Sequence, residues 1–261
     1  MTIRIGTLDD ARASRIPYML DGSLLSHKST LMGAEPGSAV PNAFLIEQEP
    51  NRALPVHFHG YGQFQIVVKG GGVMGKTPLS PVTVHYAGQR TAYGPIVPGS
   101  DGLWYMTLRP RTDLGAYFMP ESRHLRSREI PTVHAISQPV AVAGPGAGSA
   151  TVSETIEVIA PRASGLATWL LKVRPGESLP APACPASGGR FHVVVGVAIL
   201  HAGRQLGWLS TLWTDPHDAD PTWHAGPDGA TALVLQFPAD ACRFPALSAP
   251  ARWKEGHAFS S

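Results

Sequence analysis

The sequence predicts an all-β protein built from two copies of one β domain. Its apolar segments are short, rich in Val, Ile, Leu and aromatic residues, and bounded by glycine and proline, which is the punctuation of strands. Gly (28) and Pro (25) are spread over all 261 residues, so helices are cut short and turns multiplied. One pattern of segments also recurs at a nearly constant distance along the chain.

The first residues, MTIRIGTLDDARAS, hold two acids and no long apolar stretch, unlike a secretory signal. Residues 9–15 suit a short helical turn. Strands are expected at 42–48, 63–69, 83–86 and 103–108, and a second short helical turn within 119–128. Residues 141–150, AVAGPGAGSA, are small and uncharged and read as a linker or exposed loop. Strands follow at 168–173, 190–200 and 231–237. The repeat appears when FLIEQEPNRALPVHFH (44–59) is set over WLLKVRPGESLPAPAC (169–184), at an offset of 125. GQFQIVV (62–68) over GRFHVVV (189–195), and GSDGLWYMTLRPRTD (99–113) over GPDGATALVLQFPAD (226–240), both fall at 127. Two homologous domains, 1–130 and 160–261, with a connection over 131–159, account for this.

Composition narrows the function. The 43% of hydrophobic residues supplies a core, while 15% charged is low against about 25% for soluble domains. A net charge of +2 does not advertise nucleic acid or an anionic membrane. The longest apolar run, 193–200, holds a glycine and falls far short of the ~20 residues of a membrane helix. Two cysteines, Cys184 and Cys242, make neither a disulfide framework nor a CxxC site. The expectation is a cytoplasmic protein with a small-molecule ligand, no nucleic-acid or membrane partner, and a homodimer as candidate assembly.

The chemistry-bearing residues cluster in PVHFHGYGQFQIVVKGG. His57, His59, Gln63 and Gln65 share parity, so on extended chain they point to one side. Two imidazoles spaced in this way can share a metal ion. His85, on another predicted strand, is a further candidate ligand, although an ordinary strand histidine is the plainer reading. Tyr86, Tyr93 and Tyr105 are candidates to line a pocket, with core packing as the plainer alternative. Arg90 and Arg109 could bind a carboxylate but read more simply as solvated strand ends. The segment 215–226 crowds His217, Asp218, Asp220 and His224 in what reads as a solvated loop.

His57, His59, Gln63 and Gly70 stand at the spacing HxH, three residues, an acid or amide, six residues, Gly. This resembles the first motif of the cupin superfamily, and the two repeats resemble a bicupin. The resemblance implies two double-stranded β-helix (jelly-roll) barrels. It also implies a divalent transition metal (Fe, Mn, Ni or Zn) on His57, His59 and Gln63, with Gln65 and His85 as additional ligand candidates. Three departures accompany it: Asn51 replaces the usual leading Gly, Gln63 replaces the usual Glu, and the second motif's histidine is missing from YGPIVPGSDGLWY. In the second repeat Pro182, Cys184 and Arg190 stand opposite His57, His59 and Gln63, so that barrel is expected to be metal-free. The function implied is a small-molecule enzyme of the dioxygenase type, with isomerase or lyase chemistry next. The alternative is a non-catalytic binding, sensing or structural bicupin.

Overall fold

The computed structural model describes residues 3–142, 150–218, 221–245, 247, 248 and 250. The Gly-rich stretch read as a linker falls mostly at 143–149, outside the described residues. The chain divides into two compact units, Ala11–Pro139 with Cys242–Ser261, and Val140–Ala241 with Met1–Asp10. We call them the first and second unit.

In the first unit the large antiparallel sheet runs His134–Ile136, Val84–Ala87, Gln63–Met74, Ile96–Arg109, Asn42–Gln48, Ser23–Met32, Ile16–Leu20. A smaller sheet pairs His57–Phe58 with Tyr117–Phe118. In the second unit the order is Arg4–Gly6, Thr211–Thr214, Ser187–Val194, Ala230–Pro238, Ala167–Val173, Glu154–Ile159. Its smaller sheet joins Ser178–Pro180, Thr222–Ala225, Ile199–His201 and Arg204–Leu206. The large sheets end in edge strands, so each unit is a two-sheet jelly roll and its main-chain pairing does not close into a ring. Leu8–Arg12 is a helical turn and Glu121–Leu125 a 3-10 turn.

The repeat is visible in the register. Phe64 pairs with Tyr86 and Leu108; 127 residues on, Phe191 pairs with Trp213 and Leu235. Gly72 pairs with Leu79, and Ile199 with Leu206. The Leu54–Ile96 bridge recurs as Leu179–Trp223, shifted by 125 and 127. Two strands occupy the stretch read as a connection: His134–Ile136 edges the first large sheet and Glu154–Ile159 the second. Both are short edge strands with an exposed side, and ETIEVI is half polar, so their apolar signal is weak.

Gly70 shows why the motif needs a glycine. Its φ is +73°, and a Cβ there would strike the carbonyl oxygen of Gly102 on the neighbouring strand. Gly70→Ala should destabilise the protein by about 2–3 kcal/mol in denaturant melts; a change under about 0.5 kcal/mol would contradict this reading.

Candidate functional site

Strand alternation assembles the site. Asn42, Phe44 and Ile46, then Tyr105, Thr107 and Arg109, then Gln65, turn to one side of the large sheet and line a cavity of about 960 Å³. Leu25, Ser26, Lys28 and Thr30 add a further wall. His57 and His59 enter from the smaller sheet, with Tyr93, Asp113 and Ala116 beside them. Phe58, between the two histidines, turns away and stacks on Tyr117, ring centroids 5.3 Å apart. The cavity is therefore apolar along Leu25, Phe44, Ile46 and Leu54, and polar at the histidine end.

That polar end is one connected network. His57 Nδ1 donates to the Pro55 carbonyl (2.7 Å), so its Nε2 accepts from the Tyr93 hydroxyl (2.8 Å). Gln63 Nε2 donates to the same hydroxyl, and Gln63 Oε1 accepts from Arg109 Nε (2.9 Å). His59 Nδ1 lies 2.8 Å from Asp113 Oδ2 and 2.9 Å from the Gly115 carbonyl, both acceptors, so it carries the proton. Arg109 Nη2 is 3.1 Å from both nitrogens of the His59 ring. A donor equally far from both cannot lie along the Nε2 lone pair. The contact is thus a cation packed on the imidazole, and that lone pair stays open. Arg109 also rests on the Phe44 ring, its Cζ 5.3 Å from the centroid.

The electrostatics follow from burial and Arg109. Burial, then His59 and Arg109, lower His57 to about 3, against the pull of its Pro55 hydrogen bond. Burial and Arg109 also hold His59 below its ordinary value, despite Asp113. Burial pushes Asp113 up, but the His59 hydrogen bond and the Arg109 charge outweigh it, and the carboxyl sits below its usual range. Tyr93 and Tyr105 are raised by burial. The histidine end of the cavity thus carries one cation, Arg109, one anion, Asp113, and two neutral histidines near pH 7.

Because folded His57, His59 and His85 are all lowered, the unfolded chain binds more protons than the native one below about pH 6.5. Stability should therefore fall as pH drops below 6.5, by about 1.4 kcal/mol per pH unit from His57 down toward pH 3, with His59 and His85 adding to the fall in the same direction. Denaturant melts at pH 7.5, 6 and 5 measure this; a flat profile would contradict the buried neutral rings.

The structure brings His57, His59, Gln63, Tyr93 and Tyr105 together, with Gln65 alongside. His85 packs its ring on Tyr93, centroids 5.1 Å apart, but both its nitrogens are engaged elsewhere: Nδ1 bonds Gln65 Oε1 (2.9 Å) and Nε2 faces Nε2 of His134 (2.8 Å). Tyr86 is not a pocket residue. It follows His85 on the strand, so it turns to the opposite face, against Phe64 at 4.9 Å between centroids. Arg109 is no solvated strand end, being 6% exposed, whereas Arg90 bonds the Leu125 and Pro245 carbonyls. Asp113 is the residue that sequence reasoning missed. Its signal is the Arg-Pro-Arg-Thr-Asp end of the repeat, which puts an acid four residues after Arg109.

No family model and no curated protein matches the sequence. Solved structures do match the fold. The pirin YhhW of Escherichia coli, in complex with nickel(II), is 13% identical, with 91% of this chain and 99% of that one covered, at a TM-score of 0.53. A mutant of Bacillus subtilis oxalate decarboxylase is 10% identical over 89% of this chain and 76% of its own, at 0.53. AerE of Microcystis aeruginosa is 13% identical over 85% and 98%, at 0.52. The chain has the bicupin fold. Among the described residues, no helix is long and apolar enough to cross a membrane, and no group of three or more His, Cys, Asp or Glu could hold a metal ion.

The second cupin unit has exchanged the polar pair. Arg190 stands where the first unit has Gln63, and Gln236 where it has Arg109; they pair across adjacent strands, Arg190 Nη1 donating to Gln236 Oε1 at 3.4 Å. Gln236 Nε2 also donates to Cys184 Sγ (2.8 Å), the counterpart of His59. Trp169, Leu171, Val194, Leu212 and Trp223 pack its interior. His224 is exposed on a strand paired on both sides, with Ser178–Pro180 and Ile199–His201, its Nδ1 2.7 Å from the Ser178 hydroxyl. His224→Ala should change stability by no more than about 0.5 kcal/mol; a larger loss in denaturant melts would give it a structural task.

Proposed function

We propose that the first cupin unit binds a small organic acid, with its carboxylate on Arg109 and its apolar body along Phe44, Ile46, Leu25 and Leu54. The observation that carries this is a guanidinium, 6% exposed, at the polar end of a 960 Å³ cavity with apolar walls. Its size falls within the roughly 300–1,000 Å³ of small-molecule sites. Arg109 has donors beyond those it gives to Gln63 and His59, and a guanidinium takes a carboxylate in fork geometry. Lys28, with Nζ 4.9 Å from the Phe44 centroid, places a second cation on the same wall, which suits a ligand with a second acidic or carbonyl group.

The reading as a metal-dependent, dioxygenase-type enzyme draws on one specific observation. Both histidines carry the proton on Nδ1, anchored to backbone or carboxylate, which leaves Nε2 unprotonated as in metal-ligating histidines, although on His57 it accepts from the Tyr93 hydroxyl. The rest of the donor set does not fit a divalent ion. Gln63 is neutral, Asp113 lies on the Nδ1 side of His59, and Tyr93 is held as a phenol. An ion roughly 2 Å from His59 Nε2, along a lone pair roughly perpendicular to the Arg109 contact, would sit roughly 4 Å from Nη2. Repulsion of a double charge there is about 8 kcal/mol at an effective dielectric of ~20.

Titration calorimetry with 4-phenylbutanoate and its neutral alcohol, 4-phenylbutanol, tests the proposal. Both have the same apolar body, so the account expects the acid to bind at least about tenfold more tightly, a difference of ~1.4 kcal/mol. Equal binding, or none by either, would count against a carboxylate site.

A further inference from the structure

We infer that a guanidinium occupies the role of the metal ion at the centre of the first cupin unit, and that Arg109, with the neutral Gln63 it holds, keeps that centre from binding one. The two imidazoles already have the tautomers and inward lone pairs that coordination needs, each fixed by an acceptor on Nδ1. Their rings lie 5.2 Å apart at right angles and face the same cavity. Gln63 supplies an oxygen, and that oxygen is held by Arg109 Nε. Arg109 therefore meets two of the three expected ligands, His59 and Gln63. The third, His57, gives its Nε2 to Tyr93, whose hydroxyl in turn accepts from Gln63. Every tie that keeps this ligand set from an ion runs through Arg109 or the Gln63–Tyr93 pair beside it.

The second unit gives independent support. There too an arginine and a glutamine face each other on the two central strands, but with the residues exchanged, Arg190 for Gln63 and Gln236 for Arg109. The guanidinium reaches the centre of each unit from a different strand. What recurs is a fixed positive charge bonded to a neutral amide, with no dependence on which strand bears it. Such a charge persists at any pH and any metal supply. It offers an oxyanion a single positive charge with hydrogen bonds, where a metal ion would offer a double charge with coordination.

Nickel(II) titration of untagged protein, by calorimetry, tests this and does not depend on what the cavity binds. Wild type and Gln63→Glu should show no saturable site; in Gln63→Glu the new carboxylate pairs with Arg109. Arg109→Ala combined with Gln63→Glu should take one nickel at least about 100-fold more tightly than wild type. Adding His57→Ala to that variant should abolish the site. Circular dichroism checks folding throughout. One equivalent of nickel on wild type or Gln63→Glu, lost with His57→Ala, would overturn the inference. So would a folded Arg109→Ala, Gln63→Glu variant that takes none. If that variant does not fold, Arg109→Gln with Gln63→Glu, which keeps side-chain volume without the charge, takes its place with the same expected result. Failure of 4-phenylbutanoate to bind, with the nickel results as expected, would remove the ligand proposal and leave this inference standing.

Discussion

Asp113→Asn should be the most destabilising conservative change in the site, by about 3 kcal/mol. The substitution keeps shape but removes the charge and one of two used acceptors, since Asp113 takes His59 Nδ1 on Oδ2 and the Leu114 N–H on Oδ1. Asp113 Oδ2 is 4.0 Å from Arg109 Nε, and both side chains are buried. Breaking a buried pair leaves the remaining ion uncompensated, at a cost of about 3–5 kcal/mol; the 4.0 Å separation and the open cavity place this one at the low end. The effect should depend on pH with a definite sign. The folded Asp113 carboxyl lies below its unfolded value of about 3.9, so its contribution is present above that pH and lost as pH falls through the folded value. Denaturant melts of wild type and variant should therefore differ most near neutrality and converge in strong acid. Equal stability at pH 7 would mean that Asp113 does not balance Arg109.

Arg109→Ala should weaken 4-phenylbutanoate binding by about 2–5 kcal/mol, roughly 30-fold or more, and leave 4-phenylbutanol nearly unchanged. The carboxylate loses its charged partner, while Phe44, Ile46 and Leu54 keep the apolar wall. The same variant should move His59 upward, because Arg109 is the charge that holds it down while Asp113 pulls the other way. The His59 ring resonances, followed by NMR against pH, should then titrate at higher pH than in wild type. A variant that loses both ligands equally would point to collapse of the cavity.

Much of this was legible in the sequence. The 127-residue offset fixed the equivalence of strands such as Gln63–Met74 and Ser187–Val194, because register in a half-buried sheet is set by alternation and a one-residue slip would turn Phe64 to the wrong face. Parity likewise put Gln63 with Gln65 on one face, but the histidines meet them from the smaller sheet, which parity along one extended chain does not show. Parity also contained the correction for Tyr86, since it cannot share a face with His85, its neighbour. What the chain could not show locally was partnership. Arg109 looks like a strand end until Gln63, 46 residues away, and Phe44 are seen against it. Asp113 lies past the end of the strand, where no periodicity marks it. Whether two histidines serve an ion or a network depends on the charge beside them, and that charge arrives from another strand.

A crystal structure of the protein grown with 4-phenylbutanoate and nickel(II), with anomalous data at the nickel edge, would test the central claim most directly. The account predicts carboxylate density on the Arg109 guanidinium and no anomalous peak between His57 and His59. An anomalous peak coordinated by the Nε2 atoms of His57 and His59, with Arg109 swung out of the cavity, would contradict it.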